Sequence, residues 1–176
     1  MRGFFMLELA IVFACMICGG FLLVRFADNM RAYALVRQEV ERLFATCAML
    51  RAQAHMDAAM HRILCDESRS GYFVDGVWHA FAGSVRYGAR GSGLSIMGPP
   101  SAPTHVLESF VSFPQKQIMF YPDGSINSGV VYMGSARVNA LYAISSSVSD
   151  TFFLRLYTYA SGSWRLIDGR DQAGAA

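Results

Sequence analysis

Glu8 is the residue whose chemistry is hardest to place without a partner. It stands inside Phe4–Val24, an unbroken apolar run of about 21 residues in which it is the only charge. A carboxylate near the centre of a membrane helix costs about 2.5–3.5 kcal/mol even on lenient insertion scales. Such a group meets a cation or lies close enough to the headgroups to reach water. The four cysteines offer a second chemistry. Cys15 and Cys18 lie one helical turn apart inside the apolar run and read as small packing residues. Cys47 and Cys65 lie outside it, in no zinc-binding spacing, and can pair as a disulfide if that part of the chain faces an oxidising compartment. His55, His61, His79 and His105 have no metal-ligand spacing. Read as one helix, His55 and His61 fall on different faces. Gly88–Gly93 lacks the lysine and hydroxyl residue of a phosphate loop, the serines have no nucleophile elbow, and no carboxylate pair suggests acid–base work. No catalytic constellation, cofactor or metal is expected. Arg155, Arg165 and Arg170 with Trp164 form a candidate basic–aromatic patch, diluted by Asp168 and Asp171.

These residues need positioning elements. The chain of 176 residues has room for an anchor and one modest domain. A net charge of +2 without blocks of like charge gives no case for a nucleic-acid partner. A helix over Phe4–Val24 is about 30 Å long, enough to cross a hydrocarbon core. It exceeds the roughly 7–15 residues of a signal-peptide core, and Arg25 stands where a small-residue cleavage site belongs. An ordinary removed signal peptide is therefore disfavoured. From Phe4 to about Ser68 there is no proline, and the only glycines are Gly19-Gly20. Beyond the membrane Leu35, Val36, Val40, Leu43, Phe44, Cys47 and Leu50 recur at three- and four-residue steps. The spacing predicts an amphipathic continuation of the same helix, to about Ser68, with a bend or local melting at Gly19-Gly20 in some assembly states.

After Gly71 the pattern changes to short strands. Tyr72–Val74 and Val77–Phe81 flank Asp75-Gly76, a pair suited to a type I′ hairpin. Gly88 to Pro103 reads as loop. Further strands are expected at Val106–Phe113, Gln117–Tyr121, Gly129–Met133, Ala140–Ser145 and Thr151–Tyr159, with Pro122-Asp123-Gly124 turning between two of them. The residues after Asp171 read as a frayed tail. The fold class expected is α+β, a long N-terminal transmembrane and amphipathic helix packed on antiparallel sheets.

Gly3-Phe4-Phe5-Met6-Leu7-Glu8 resembles the processing signal of type IV pilins and type II secretion pseudopilins. In that family a glycine precedes the cut, an aromatic residue begins the mature chain, and a glutamate follows at its fifth position. Gly3, Phe4 and Glu8 match. Phe5-Met6 replaces the usual threonine–leucine pair, and the leader Met1-Arg2-Gly3 is short, with one basic residue. The resemblance implies cleavage after Gly3 by a prepilin peptidase, N-methylation of Phe4, and a pilin-like fold. It also implies that the Phe4 ammonium, about 6 Å along the helix from Glu8, meets the Glu8 carboxylate of a neighbouring subunit during assembly. Such a pair sets register more than it adds stability, because desolvation offsets much of the attraction. Ile118–Ser125, with Pro122-Asp123-Gly124 at its turn, followed by Gly129–Met133, is similar to the H-type minor pseudopilins, whose closing hairpin Ala140–Ser145 and Thr151–Tyr159 also fit.

What these likenesses imply is a structural, non-enzymatic minor pseudopilin of a type II secretion system. The residue ranges would be 1–3 leader, 4–24 membrane half-helix, 25–68 amphipathic helix and linker, 69–170 periplasmic head and 171–176 tail. Its partners would be other pilin-like subunits, the prepilin peptidase, an inner-membrane assembly platform and lipid. Two alternatives stand beside it. One is a minor type IV pilin of a DNA-uptake or twitching system; the other is a plain single-span envelope protein.

Overall fold

The computed structural model describes residues 2–88, 109–146 and 154–169. One helix, α1 (Arg2–Asp57), runs for 56 residues, about 84 Å at 1.5 Å per residue. It passes through Gly19-Gly20 without interruption, so the helix is not melted there in this structure. The distal part carries a continuous buried stripe of Ala32, Val36, Val40, Leu43, Phe44, Cys47, Leu50 and Ala54. Leu35 is only partly buried but packs against the same core.

The helix ends earlier than Ser68. Ala58 adopts a left-handed conformation, φ 52°, and the Asp57 carboxylate accepts the Ala59 N–H at 3.1 Å. An alanine in that conformation is strained by about 1–2 kcal/mol, so the side-chain bond supports the stop. The chain then enters β1 (His61–Asp66), a strand absent from the expectation above. Ile63 and Cys65 alternate inward while Arg62 and Leu64 stay exposed. The head therefore begins at His61, and His61 is a strand residue.

β1 pairs with β2 (Gly71–Val74) on one side and β5 (Gln117–Phe120) on the other; β3 (Val77–Ala80) completes an antiparallel sheet of order β3-β2-β1-β5. Asp75 and Gly76 turn the β2–β3 hairpin with φ 47° and 87°, both positive as a type I′ turn requires. A second antiparallel sheet has the order β4-β6-β7-β8-β9, with β4 (Val85–Tyr87), β6 (Gly129–Ser135), β7 (Leu141–Ser146), β8 (Leu154–Ala160) and β9 (Ser163–Gly169). β4 and β9 were not expected. Of the segment read as strand over Val106–Phe113, the described part makes one isolated bridge, Val111 to Val131. Residues 89–108, 147–153 and 170–176 of the expected loop, strands and tail lie outside the described residues.

Both sheets pack on α1. Ile63, Cys65, Tyr72, Ile118 and Phe120 from the first and Val131, Met133, Ile144, Leu154 and Leu156 from the second join the helix stripe in one core. The fold is an α+β arrangement of a long apolar helix on two antiparallel sheets. A second cluster, Val130, Tyr132, Leu141 and Ala143, occupies the opposite face of the larger sheet.

Candidate functional site

The N-terminal part of α1 carries the apolar run and the acid within it. From Glu8 onward the apolar window has a mean hydropathy of 2.4, and none of it is buried against the rest of the chain. Ile17, Leu22 and Leu23 are about 70% exposed. In water that much free apolar surface is unfavourable; a lipid bilayer or other helices are the environments that match it. By length and composition this helix can span a membrane. Glu8 is exposed on it, and among the described residues no cation pairs with it. Gly3 and Phe4 lie in the first turn of the helix.

Where the helix leaves the apolar run it becomes the spine of the head, fixed by contacts that the sequence did not reveal. Arg51 Nε donates to the Gly124 carbonyl at 2.7 Å, and His55 Nδ1 lies 3.1 Å from the Pro122 carbonyl. A carbonyl only accepts, so that nitrogen carries the proton. The two side chains are four residues apart, one above the other on the helix, and together hold the Pro122-Asp123-Gly124 turn. The turn is also closed locally. Gly124 N–H donates to the Tyr121 carbonyl at 2.9 Å, Ser125 N–H donates to Asp123 Oδ1 at 2.9 Å, and Gly124 has φ 79°. Hydrogen bonding by the Ser125 side chain and then by the Ser125 N–H holds the Asp123 carboxyl below its ordinary pKa. The strands on either side do not pair with each other. β5 belongs to the smaller sheet and β6 to the larger, and the segment after the turn still pairs back onto β5, through the Phe120–Ile126 bridge and the Asn127 N–H to the Met119 carbonyl, before the chain crosses to the larger sheet.

Cys47 and Cys65 are both buried in the core and both free thiols, so the disulfide considered above is not formed here. Burial raises both thiol pKa values, that of Cys65 to about 11. Neither is a ready nucleophile in this state. Cys15 and Cys18 are exposed along the apolar run.

The candidate basic–aromatic patch does not assemble on one face. Trp164 pairs with Tyr159, and Arg165 pairs with Thr158. Alternation along the strands places Arg165 on the face opposite Trp164. Trp164 instead packs against Tyr132 and Tyr159, with ring centroids 5.7 and 5.1 Å away. Arg155 shares the Trp164 face but sits several residues along β8 beside Ser145. Arg170 and Asp171 lie outside the described residues. Among those described, no group of three or more His, Cys, Asp or Glu side chains is arranged to hold a metal ion. Comparison with known proteins returns no match, whether with family models, curated proteins or solved structures.

Proposed function

We propose that this chain is a structural subunit of a type IV pilin-like filament, and specifically a minor pseudopilin of a type II protein secretion system. The observation that carries it is Glu8, a lone acid exposed in the apolar run of an unbroken helix that continues as the core of a β-rich head. The other supports are the Gly3-Phe4 processing signal and the Pro-Asp-Gly turn. Cleavage after Gly3 leaves the amine of Phe4, which is then methylated. In the assembled filament that amine meets Glu8 of an adjacent copy or related subunit, and the exposed apolar helices exchange lipid for one another. The head lies in the periplasm and the helix in the inner membrane, crossing once. Energy comes from an ATPase elsewhere in the machine; this subunit positions and does no chemistry. Substitution Glu8→Ala tests the assignment. The variant should still be processed but should enter filaments poorly, and normal incorporation would remove the role given to Glu8.

A DNA-uptake minor pilin is the second reading, and its motivating cluster is the weaker one, since Trp164 and Arg165 face opposite ways. A gel shift with the full chain in detergent discriminates. Absence of salt-sensitive binding at low ionic strength fits the secretion reading, whereas steep salt dependence favours DNA contact.

A further inference from the structure

His61 stands at the junction of three elements and bonds to both of the others. Its Nε2 lies 2.8 Å from Oδ2 of Asp57, the last residue of α1, and its Nδ1 lies 3.3 Å from Oδ2 of Asp75, in the β2–β3 turn. The His61 side chain is only 16% exposed, whereas the two carboxylates are 44% and 54% exposed. Carboxylate oxygens accept only, so both bonds exist together only when both ring nitrogens carry protons. A neutral ring has one N–H and must turn a lone pair toward one of the acids.

We propose that His61, Asp57 and Asp75 form a pH-sensitive clasp that ties the C-terminal end of α1 to the β2–β3 hairpin. Both anchoring points are backbone-strained, Ala58 beside Asp57 at φ 52° and Asp75 itself at φ 47°. Each strained turn is thus held by the same ring. The longer bond, to Asp75, is the one lost when the ring deprotonates, and the hairpin then detaches from the helix end.

The surroundings leave the ring to these two acids. On α1, Arg51 and His55 are committed to the carbonyls of the Pro122–Gly124 turn. On β1, Arg62 alternates to the outer face. Across the sheet, β5 presents Phe120 opposite His61 and Ile118 two residues on, neither of them charged. In the turn after β5, Asp123 Oδ1 accepts the Ser125 N–H. The hydrogen bond to Asp57 raises the pKa of His61, with Asp75 adding to it, and the bond to His61 lowers that of Asp57. A raised imidazole value means that the stabilisation is complete below the ordinary histidine value of about 6.5. It is lost as pH rises through the higher folded value. A lowered carboxyl value means that the acid side is lost only as pH falls through the lowered Asp57 value. The clasp is therefore closed in mildly acidic medium and opens on the alkaline side.

The test uses the full chain in detergent micelles with isotope-labelled histidine. NMR gives the titration midpoint of the His61 ring, and hydrogen exchange of the Val74 and Val77 amides, corrected for intrinsic rates, reports the hairpin from about pH 5.5 to about pH 8.5. The clasp predicts a midpoint above the ordinary histidine value and a several-fold loss of hairpin protection across it. In Asp75→Asn the midpoint falls and the pH dependence disappears. His55→Gln leaves both intact. A wild-type midpoint at or below the ordinary value overturns the proposal, as does unchanged pH dependence in Asp75→Asn.

Discussion

Replacing Arg51 by methionine isolates one bond between helix and head. Methionine keeps the unbranched apolar stem that lies along α1 and removes the guanidinium, which donates to the Gly124 carbonyl at 2.7 Å across a part-buried contact. A hydrogen bond from a charged donor contributes about 1.5–3 kcal/mol net. Gly124 is itself only half-buried, so water can take over part of the carbonyl's demand, and a loss of about 1–2 kcal/mol is expected. For a head of this size that lowers the melting temperature by about 4–8 °C. Near-ultraviolet circular dichroism of Trp78 and Trp164 in detergent follows the unfolding. Hydrogen exchange at Gly124 and Ser125 reports the turn itself, and both amides should lose protection more than the β7–β8 ladder does. A melting temperature within about 1 °C of the parent, with turn protection unchanged, would refute the idea that Arg51 fastens the Pro122–Gly124 turn to the helix.

Three other outcomes follow from the packing. Leu43→Ala, at a fully buried position in the core stripe, should cost about 2–5 kcal/mol, whereas Leu23→Ala, 71% exposed in the apolar run, should leave the melting of the head unchanged. Gly71→Ala places a Cβ 2.5 Å from the His79 carbonyl oxygen and from the Trp78 ring, so a loss of about 1–3 kcal/mol is expected. Gly124→Ala meets no atom within 4 Å, and its cost should be backbone strain alone, about 1–2 kcal/mol; chemical denaturation of both variants compares them. Cys47 and Cys65, buried with raised thiol pKa values, should resist a membrane-permeant maleimide in the native chain and react on unfolding, while Cys15 and Cys18 label whenever the helix is not covered by protein. Mass spectrometry of the labelled peptides reads this out.

The helix stripe was legible in the sequence because burial along α1 follows the helical period. Six of the seven apolar positions expected to face the head are fully buried, and the seventh, Leu35, packs at its margin. The helix end was not legible. It is made by Asp57 and an alanine in left-handed backbone, where glycine or proline would have marked the stop. β1 was hidden for a related reason, since outward-facing Leu64 masks the alternation that Ile63 and Cys65 would otherwise display. In β9 the adjacent exposed apolar pair Leu166-Ile167 blurs the period beside a register shift at Leu156/Tyr157. Turn chemistry foretold the Asp75-Gly76 hairpin and the shape of the Pro122–Gly124 turn, because both depend on local backbone preference. That the chain crosses to the other sheet only after Asn127 depends on tertiary pairing and left no local mark. The grip of Arg51 and His55 on the Pro122–Gly124 turn joins residues 73 and 67 positions apart, and nothing in their local sequence marks it. Of the candidate site, Glu8 and the span around it were visible from residue type alone, because one charge within a long apolar run is conspicuous.

The filament account rests on a new amine being made available to Glu8. Intact-mass and N-terminal peptide analysis of the full-length chain, expressed with its membrane machinery and extracted in detergent, reads that amine. The expected product lacks Met1-Arg2-Gly3 and begins at Phe4 carrying one methyl group. A functional, assembled protein that keeps Met1 would leave Glu8 without the proposed partner and contradict the account.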